Sequence, residues 1–379
     1  MTAPLTRQQI CELTSRKLAD AAPSLHQIRA TLGLDGFVDE IIAVVDKRHA
    51  HDRFDSVRTI DELARKMAAA AGQSSNYELI VKHMKLGGNG PIMANALAYL
   101  GLAVSYVGNL GFPNIHPVFE DFASRARVIS VAEPAHTDAL EFDDGKLMLG
   151  KLSPLGEVNW DNIISRVGRD RLKELFDGAK LIGMVNWTML PHMSRIWAKL
   201  LDEIIPHSER HTRKLFIDLA DPEKRTHDDI LDALKLLTRF QDQVDVILGL
   251  NLKEATEIAD VLGLPGVSEP EAAIEENAVA IREELNLACV VIHPRRAAAA
   301  ATSDGKSAKF AGPFVREPKI STGAGDHFNA GFCVGRVLGF SLEESLCAGV
   351  GASGYYVRTA TSPYATQLAE IVADLPAPQ

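Results

Sequence analysis

The chain has 379 residues, of which 46% are hydrophobic, enough to bury the core of one large α/β unit. Its formal net charge of −10 argues against a general nucleic-acid binder, because neutralising phosphates requires a concentrated basic surface. The four cysteines lack the spacing of a zinc site or a disulfide framework, and no apolar run reaches membrane-spanning length. We therefore expect a protein of the cytoplasm that binds neither nucleic acid nor membranes.

Residues 1–25 are predicted to form an N-terminal surface helix, with Thr6 and Gln9 spaced as a capping box. Beyond them, short apolar strands alternate with amphipathic helices, which predicts a mostly parallel sheet covered on both faces. The predicted strands are 30–34, 104–107, 181–185, 215–219, 244–248 and 289–293. The predicted helices are 59–71, 93–100, 170–176, 227–238, 252–262, 268–285 and 341–357, of which the last two have the start signals Ser268 with Glu271 and Ser341 with Glu344.

Acidic residues and glycines follow the first predicted strand. Asp35 and Asp39 lie at its end, where a carboxylate could accept hydrogen bonds from vicinal hydroxyls or could belong to a solvated turn. Residues 87–91, Gly-Gly-Asn-Gly-Pro, precede a predicted helix, and glycine allows a backbone to approach a ligand closely. A plain glycine turn before a core helix is the alternative. Residues 137–149 are predicted to form two strands joined by an Asp-Gly turn.

Two further patterns follow strands in the second half of the chain. Asn251 and Glu254 are one helical turn apart and share a face, although this spacing alone favours an Asn cap followed by an exposed Glu. Asp326 begins an apolar helix directly after Gly323-Ala324-Gly325, a turn whose amide groups can converge on an anion. There Asp326 is free to accept a proton from an attacking hydroxyl, or it is an ordinary helix cap.

The string T-G-A-G-D-x-F-x-x-G-F at residues 322–332 resembles the C-terminal signature of the ribokinase-like (phosphofructokinase-B type) carbohydrate kinases. This resemblance implies an α/β fold, the ribokinase-like three-layer αβα arrangement with a mostly parallel central sheet and a small β lid. It also implies that Asp326 is the general base and that the amides of Gly323, Ala324 and Gly325 form an anion hole. We expect residues 1–379 to form one kinase domain, with the lid drawn from about 37–60 and 132–155.

The resemblance extends to the other motifs. It implies contacts to the sugar from a set of acidic, glycine and asparagine residues, namely Asp35, Asp39, Gly87, Gly88 and Asn89. Asn251 and Glu254 match the N-x-x-E element that orders water around Mg²⁺ on the nucleotide. His293 and Arg295 stand where the family has the T-x-G that touches the nucleotide, and Arg295 is either a phosphate ligand or a surface charge.

The expected function is therefore a sugar kinase that transfers the terminal phosphoryl group of ATP to a hydroxyl of a sugar, a nucleoside or a related alcohol. Two alternatives stay open: an ADP-dependent sugar kinase of the same superfamily, and a non-catalytic sugar or nucleotide sensor on this scaffold. Ile320 stands where many members have an acidic residue of a monovalent-cation site, so potassium activation is not predicted. Lids in this family sometimes pair between subunits, which leaves a homodimer through the lid open.

Overall fold

The computed structural model describes residues 5–207 and 213–378. The strands, in chain order, are β1 Arg29–Leu34, β2 Phe37–Arg48, β3 Phe54–Ser56, β4 Leu79–Gly87, β5 Ala103–Gly108, β6 Arg127–Ser130, β7 Ala135–Phe142, β8 Gly145–Lys151, β9 Leu181–Val185, β10 Lys214–Asp218, β11 Asp245–Leu250, β12 Cys289–Ile292, β13 Ala297–Thr302 and β14 Ser307–Ala311. The α-helices are α1 Arg7–Ala21, α2 Ile60–Ala69, α3 Asn89–Leu100, α4 Glu120–Ala123, α5 Trp160–Val167, α6 Arg169–Gly178, α7 Met193–Glu203, α8 His227–Gln241, α9 Leu252–Val261, α10 Ile274–Leu285, α11 Ala324–Val337, α12 Leu342–Thr359 and α13 Ala365–Ala373.

The main sheet contains nine strands among the described residues, in the order β14-β13-β12-β11-β10-β9-β1-β5-β6. All neighbouring pairs from β12 to β6 are parallel, and only the pairs β12–β13 and β13–β14 are antiparallel, so that β13 alone runs in the opposite direction. Buried side chains alternate between the two faces, so that Leu215 and Ile217 join one core and Phe216 joins the other. The predicted mostly parallel sheet between two helical layers is confirmed.

A second, smaller sheet has the order β3-β2-β7-β8, with β4 also paired to β2. Helix α2 covers one end of this sheet, where Leu63 packs with Ile42, Val44 and Leu140. Strands β2, β3, β7 and β8 come from the segments predicted to supply the lid, but β4 comes from residues outside them. The predicted Asp-Gly turn lies between β7 and β8, which are antiparallel.

Each of the six predicted strands is present in the main sheet to within one or two residues at each end. The helix predicted for 268–285 is wrong at its start, because α10 begins only at Ile274. Pro270 lacks an amide hydrogen and disfavours a helical residue before it, and the buried face of the helix starts at Ile274. The capping boxes predicted at Thr6 and at Ser341 are present. Residues 1–4 of the predicted N-terminal segment lie outside the described residues.

Within the described ranges, the helices fall short of the length and apolarity that are needed to cross a membrane.

Candidate active site

Helix α11 begins at the edge of a large cavity. Its N-cap, Gly323, has a φ of 91°, a left-handed conformation that glycine adopts without strain. The Ala324 amide donates to the Ser321 carbonyl oxygen at 3.1 Å, which tightens the turn. The Gly325 amide belongs to the first turn of the helix, where no carbonyl of the same helix is available as an acceptor. The turn thus directs the positive end of α11 towards the cavity.

Asp326 lies in the same first turn and is only 6% exposed. Its Oδ1 accepts a hydrogen bond of 3.2 Å from Nδ2 of Asn89, which is the first residue of α3. Burial raises the pKa of Asp326 to about 8, and the negative charges of Asp35 and Glu254 act in the same direction. A carboxyl with such a pKa can accept a proton near neutral pH.

The cavity in front of α11 has a volume of about 730 Å³. Eight of the residues singled out in the sequence line it together, from four separate stretches of chain: Asn89, Asn251, Glu254, His293, Arg295, Gly323, Ala324 and Gly325, in addition to Asp326 itself. The parallel strands β11 and β12 end at this edge, which explains why motifs far apart in sequence meet there.

Asn251 and Glu254 form a capping box at the start of α9. The Asn251 side chain accepts from the Glu254 amide at 3.0 Å, and Glu254 Oε2 accepts from the Asn251 amide at 2.9 Å. Glu254 is not an exposed cap residue, because it is buried and its Oε1 also accepts from the Asp221 amide. Burial raises the pKa of Glu254.

Asp218 is a site residue that the sequence patterns did not single out. It ends β10, lines the cavity, and accepts hydrogen bonds from Asn329 Nδ2 at 3.0 Å and from the Ala220 amide at 2.9 Å. Burial raises its pKa well above the usual range, and the charges of Glu254 and Asp326 add to the effect. An acidic residue at the carboxyl end of a predicted strand is the signal that could have identified it.

The structure places Asp35 and Asp39 beside the glycine pair but not on the wall of this cavity. Asp35 is fully buried, and its carboxylate accepts from Asn186 Nδ2 at 2.8 Å and from the Gly90 amide at 2.9 Å. Burial raises its pKa to about 6. Its two carboxylate oxygens are therefore already engaged by protein donors.

Asp39 lies on β2, at the start of the small sheet, and is 5% exposed. A Cβ on Gly87 would collide with the Asp39 carboxylate, and a Cβ on Gly88 would lie 2.7 Å from the carboxylate of Asp35. The glycine pair thus makes room for both carboxylates. Burial raises the pKa of Asp39, while the charge of Lys85 opposes that rise.

His293 and Arg295 follow β12 and line the cavity beside the start of α11. The His293 ring packs on Phe328 with centroids 4.7 Å apart, and its Nε2 is buried without a hydrogen-bond partner among the described residues. Burial lowers the pKa of His293 to about 4, so the ring is neutral. Its Cε1 lies 3.3 Å from where a Cβ on Gly325 would be, next to the turn of α11. Arg295 is exposed.

The fold recurs in solved structures of kinases. A probable sugar kinase from Rhizobium etli CFN 42 superposes with a TM-score of 0.61 at 18% identity, over 92% of this chain and 98% of that one. Arabidopsis thaliana ribokinase complexed with ribose and ATP superposes with a TM-score of 0.62 at 15% identity, over 91% of this chain and 98% of that one. The adenosine kinase from Sinorhizobium meliloti superposes with a TM-score of 0.60 at 17% identity, over 92% of this chain and 98% of that one. These similarities establish the ribokinase fold.

A curated ketohexokinase from Haloferax volcanii is 32% identical over 337 residues, 88% of either chain. Together with the fold, this similarity defines the chain as a carbohydrate kinase, a phosphotransferase that acts on a small sugar. The family model of prokaryotic ketohexokinase matches residues 11–375. The chain belongs to the prokaryotic ketohexokinase family.

Proposed function

We propose that this kinase transfers the terminal phosphoryl group of ATP to a hydroxyl of a ketohexose. The observation that carries the proposal is Asp326, a buried carboxyl of raised pKa at the N-terminus of α11, in a cavity that also holds Asn251 and Glu254. The ketose is proposed from the relative, which is a ketohexokinase and covers most of this chain.

Asp326 acts as the general base. The acceptor hydroxyl gives its proton to the carboxylate while its oxygen attacks the terminal phosphorus in line, and the nucleotide leaves with the electrons of the broken P–O bond. Asn89 holds the carboxylate through its hydrogen bond and thereby fixes which oxygen points to the substrate.

The turn at Gly323–Gly325 acts as the anion hole for the transferred phosphoryl group. Its support is the left-handed Gly323 and the helix start at Ala324, where unpaired amides and the helix dipole favour negative charge. In this conformation the Ala324 amide is bonded to Ser321, so Gly325 is the donor that stands ready. Loss of one such donor typically costs about 3–4 kcal/mol of transition-state stabilisation.

The cavity suits a magnesium ion beside the phosphates. Asp218, Glu254 and Asp326 are buried, and each carboxyl has its pKa raised by burial and by at least one other acidic neighbour, so a cation would relieve their repulsion. Oxygen ligands and retained waters are what Mg²⁺ prefers. Asn251 and Glu254 would hold it through water, and it would neutralise charge developing on the nucleotide.

The remaining predicted residues are proposed to bind the two substrates. Asp39, Gly87 and Gly88 form the sugar side together with Asn89, and Asp35 supports them from beneath by fixing the Gly90 amide. His293 and Arg295 form the nucleotide side. The neutral His293 ring has a buried, unpartnered Nε2 on this wall, which suits a hydrogen bond to a phosphate or ribose oxygen.

The test is phosphoryl transfer by the purified full chain with Mg²⁺, offering ATP and ADP separately against ketohexoses, aldohexoses, ribose and adenosine. We expect turnover with ATP and a ketohexose, and a loss of roughly 10²–10⁴-fold in kcat for Asp326→Asn. Asp242→Asn, an exposed substitution of the same kind, serves as the control.

If the protein is active only with ADP, then ADP and not ATP is the phosphoryl donor. If it phosphorylates only another acceptor, then that acceptor and not a ketohexose is the substrate. Retained binding of sugar and nucleotide without any turnover would support the sensor function instead. Full activity of Asp326→Asn would contradict the assigned base.

We also propose that two copies associate through the lid, which we define as the small sheet β2, β3, β4, β7 and β8. Its outer strand β8 exposes Met148 and Leu149, which are 49% and 51% exposed. An apolar strand at a sheet edge is a template for pairing with another chain. A cytoplasmic location is proposed with the activity, since the nucleotide co-substrate is supplied there.

A further inference from the structure

One charged group on the lid has no role in the reaction described above. Lys85 on β4 is the direct cross-strand neighbour of Asp39 on β2, and Asp39 is also the direct neighbour of Thr137 on β7. Directly opposed residues point to the same face of a sheet. The Thr137 hydroxyl acts to lower the pKa of Asp39, and the three side chains form one patch across three strands.

The strand that carries Lys85 leads directly into the candidate active site, because β4 ends at Gly87 and Asn89, two residues later, donates to Asp326 Oδ1 at 3.2 Å. Gly87, two residues after Lys85 and on the same face, lacks the Cβ that would collide with Asp39. Burial raises the pKa of Tyr356 to about 12, and the charges of Asp326 and Asp39 add to the rise; the Tyr356 hydroxyl donates to the Thr322 carbonyl oxygen at 3.1 Å, in the turn before Asp326. Asp39 and Lys85 therefore lie on the lid next to the segment that contacts the proposed base.

Lys85 is half-buried, yet in the part of the chain that the structure describes it forms neither a hydrogen bond nor an ion pair. Burial lowers its pKa, and the charge of Asp39 only partly compensates. The other lysine close to Asp39, Lys146, is already paired with Glu141 at 2.8 Å. A half-buried ammonium needs oxygen acceptors from water or from a ligand, and a ligand that covers Lys85 has to replace that water.

We propose that Lys85 binds the acceptor sugar and helps to determine its specificity, by donating a hydrogen bond to a hydroxyl oxygen next to the hydroxyl that donates to Asp39. A carboxylate offers only acceptors and an ammonium only donors, so the pair recognises a vicinal diol as one unit. This inference rests on the proposed function, because it takes the lid face at Asp39 to be the sugar side of the site.

The test compares Lys85→Met and Lys85→Arg with Lys82→Met, an exposed lysine on the same strand. With D-fructose as the probe, Lys85→Met should raise KM for the sugar about 10- to 100-fold, the range for a lost hydrogen bond to a charged group. The KM for ATP and the melting temperature should stay close to those of the Lys82→Met protein. Lys85→Arg keeps the charge and should recover part of the loss.

Monodeoxy analogues of the sugar separate a direct contact from a structural role. For the wild type, removal of the recognised hydroxyl should raise KM for the sugar. For Lys85→Met, removal of the same hydroxyl should raise KM by a much smaller factor. The inference would be overturned if KM for the sugar were the same for Lys85→Met and Lys82→Met. It would also be overturned if every monodeoxy analogue raised KM by the same factor in the wild type and in Lys85→Met.

Failure of the proposed function has a different signature. If the wild type phosphorylates another sugar and not D-fructose, the ketohexose assignment fails, and the same variants measured with the accepted sugar still decide the role of Lys85. If the wild type phosphorylates no sugar, the proposed function and this inference fall together.

Discussion

At the scale of single residues, the protonation of Asp326 links the site to stability. The folded pKa is about 8, whereas the ordinary value is 3.8. Between these values the folded protein holds a proton that the unfolded chain has released, so the free energy of unfolding falls as pH rises through this window. The contribution of Asp326 to the free energy of unfolding is fully present below pH 3.8 and is lost above about pH 8.

Asp326→Asn removes this dependence because asparagine stays neutral. We expect the melting temperature of Asp326→Asn, relative to the wild type, to increase by several degrees between pH 5 and pH 8.5, both measured without nucleotide or metal. One pKa unit corresponds to at most about 1.4 kcal/mol, so the shift is large enough to detect. A difference that does not change with pH would show that the Asp326 carboxyl is already ionised at pH 5.

Motifs carried by one local segment were readable from sequence, and contacts across strands were not. Asp326 and its glycine turn are contiguous, so their arrangement follows from helix geometry. Lys85 lies opposite Asp39 only because β4 pairs with β2 in one particular register. That register shifts between Ile41 and Ile42, which the sequence does not reveal. Asp218 joins Glu254 and Asp326 only once three distant segments have folded together.

At the scale of elements, the position of Asp326 depends on how α11 packs on α12. A Cβ on Gly331, in the middle of α11, would lie 2.5 Å from the Ala348 carbonyl oxygen and 2.8 Å from the Ala352 Cβ. No real Cβ tolerates such distances, so the two helices would have to separate. The absence of a side chain at Gly331 thus sets the distance between α11 and α12.

Gly331→Ala should therefore lower the free energy of unfolding by about 1–3 kcal/mol, the usual cost of an overpacked core. It should also lower kcat, because α11 carries the proposed base and the proposed anion-binding turn at its start. Thermal unfolding and steady-state kinetics measure the two effects. Gly156→Ala, where no atom lies within 4 Å of the added carbon, is the matched control. Unchanged stability of Gly331→Ala would show that α12 can move aside freely.

Element types were predictable where the apolar pattern was strong, and unpredictable where tertiary structure overrides local preference. The buried strands of the main sheet are apolar runs, and all six that were predicted are present. Strand β4 was missed because charged and apolar residues alternate irregularly along its exposed edge. The alanine run 297–301 forms most of β13, a buried antiparallel strand, although alanine favours helices. Pairing with β12 decides its conformation.

At the scale of the whole molecule, the proposed dimer would give the lid a part in both catalysis and assembly. Strand β8 ends the order β3-β2-β7-β8 and, among the described strands, has a neighbour on one side only. Met84 on β4 is 49% exposed as well, so both outer strands of the lid expose apolar side chains beside their lysines. A second lid would cover these apolar side chains, which the lysines alone leave exposed.

We therefore expect the purified chain to behave in solution as a dimer with twice the 41.1 kDa mass of the chain. Leu149→Lys should yield monomers, because a lysine at a paired edge is unfavourable. Leu5→Lys, at a residue with the same 51% exposure but outside the lid, should stay dimeric. Light scattering after size exclusion gives the masses.

Since Lys85 and Asp39 are in the same sheet, monomers should also show a raised KM for the sugar with little change in KM for ATP. A monomeric wild type, or a dimeric Leu149→Lys protein, would exclude this interface.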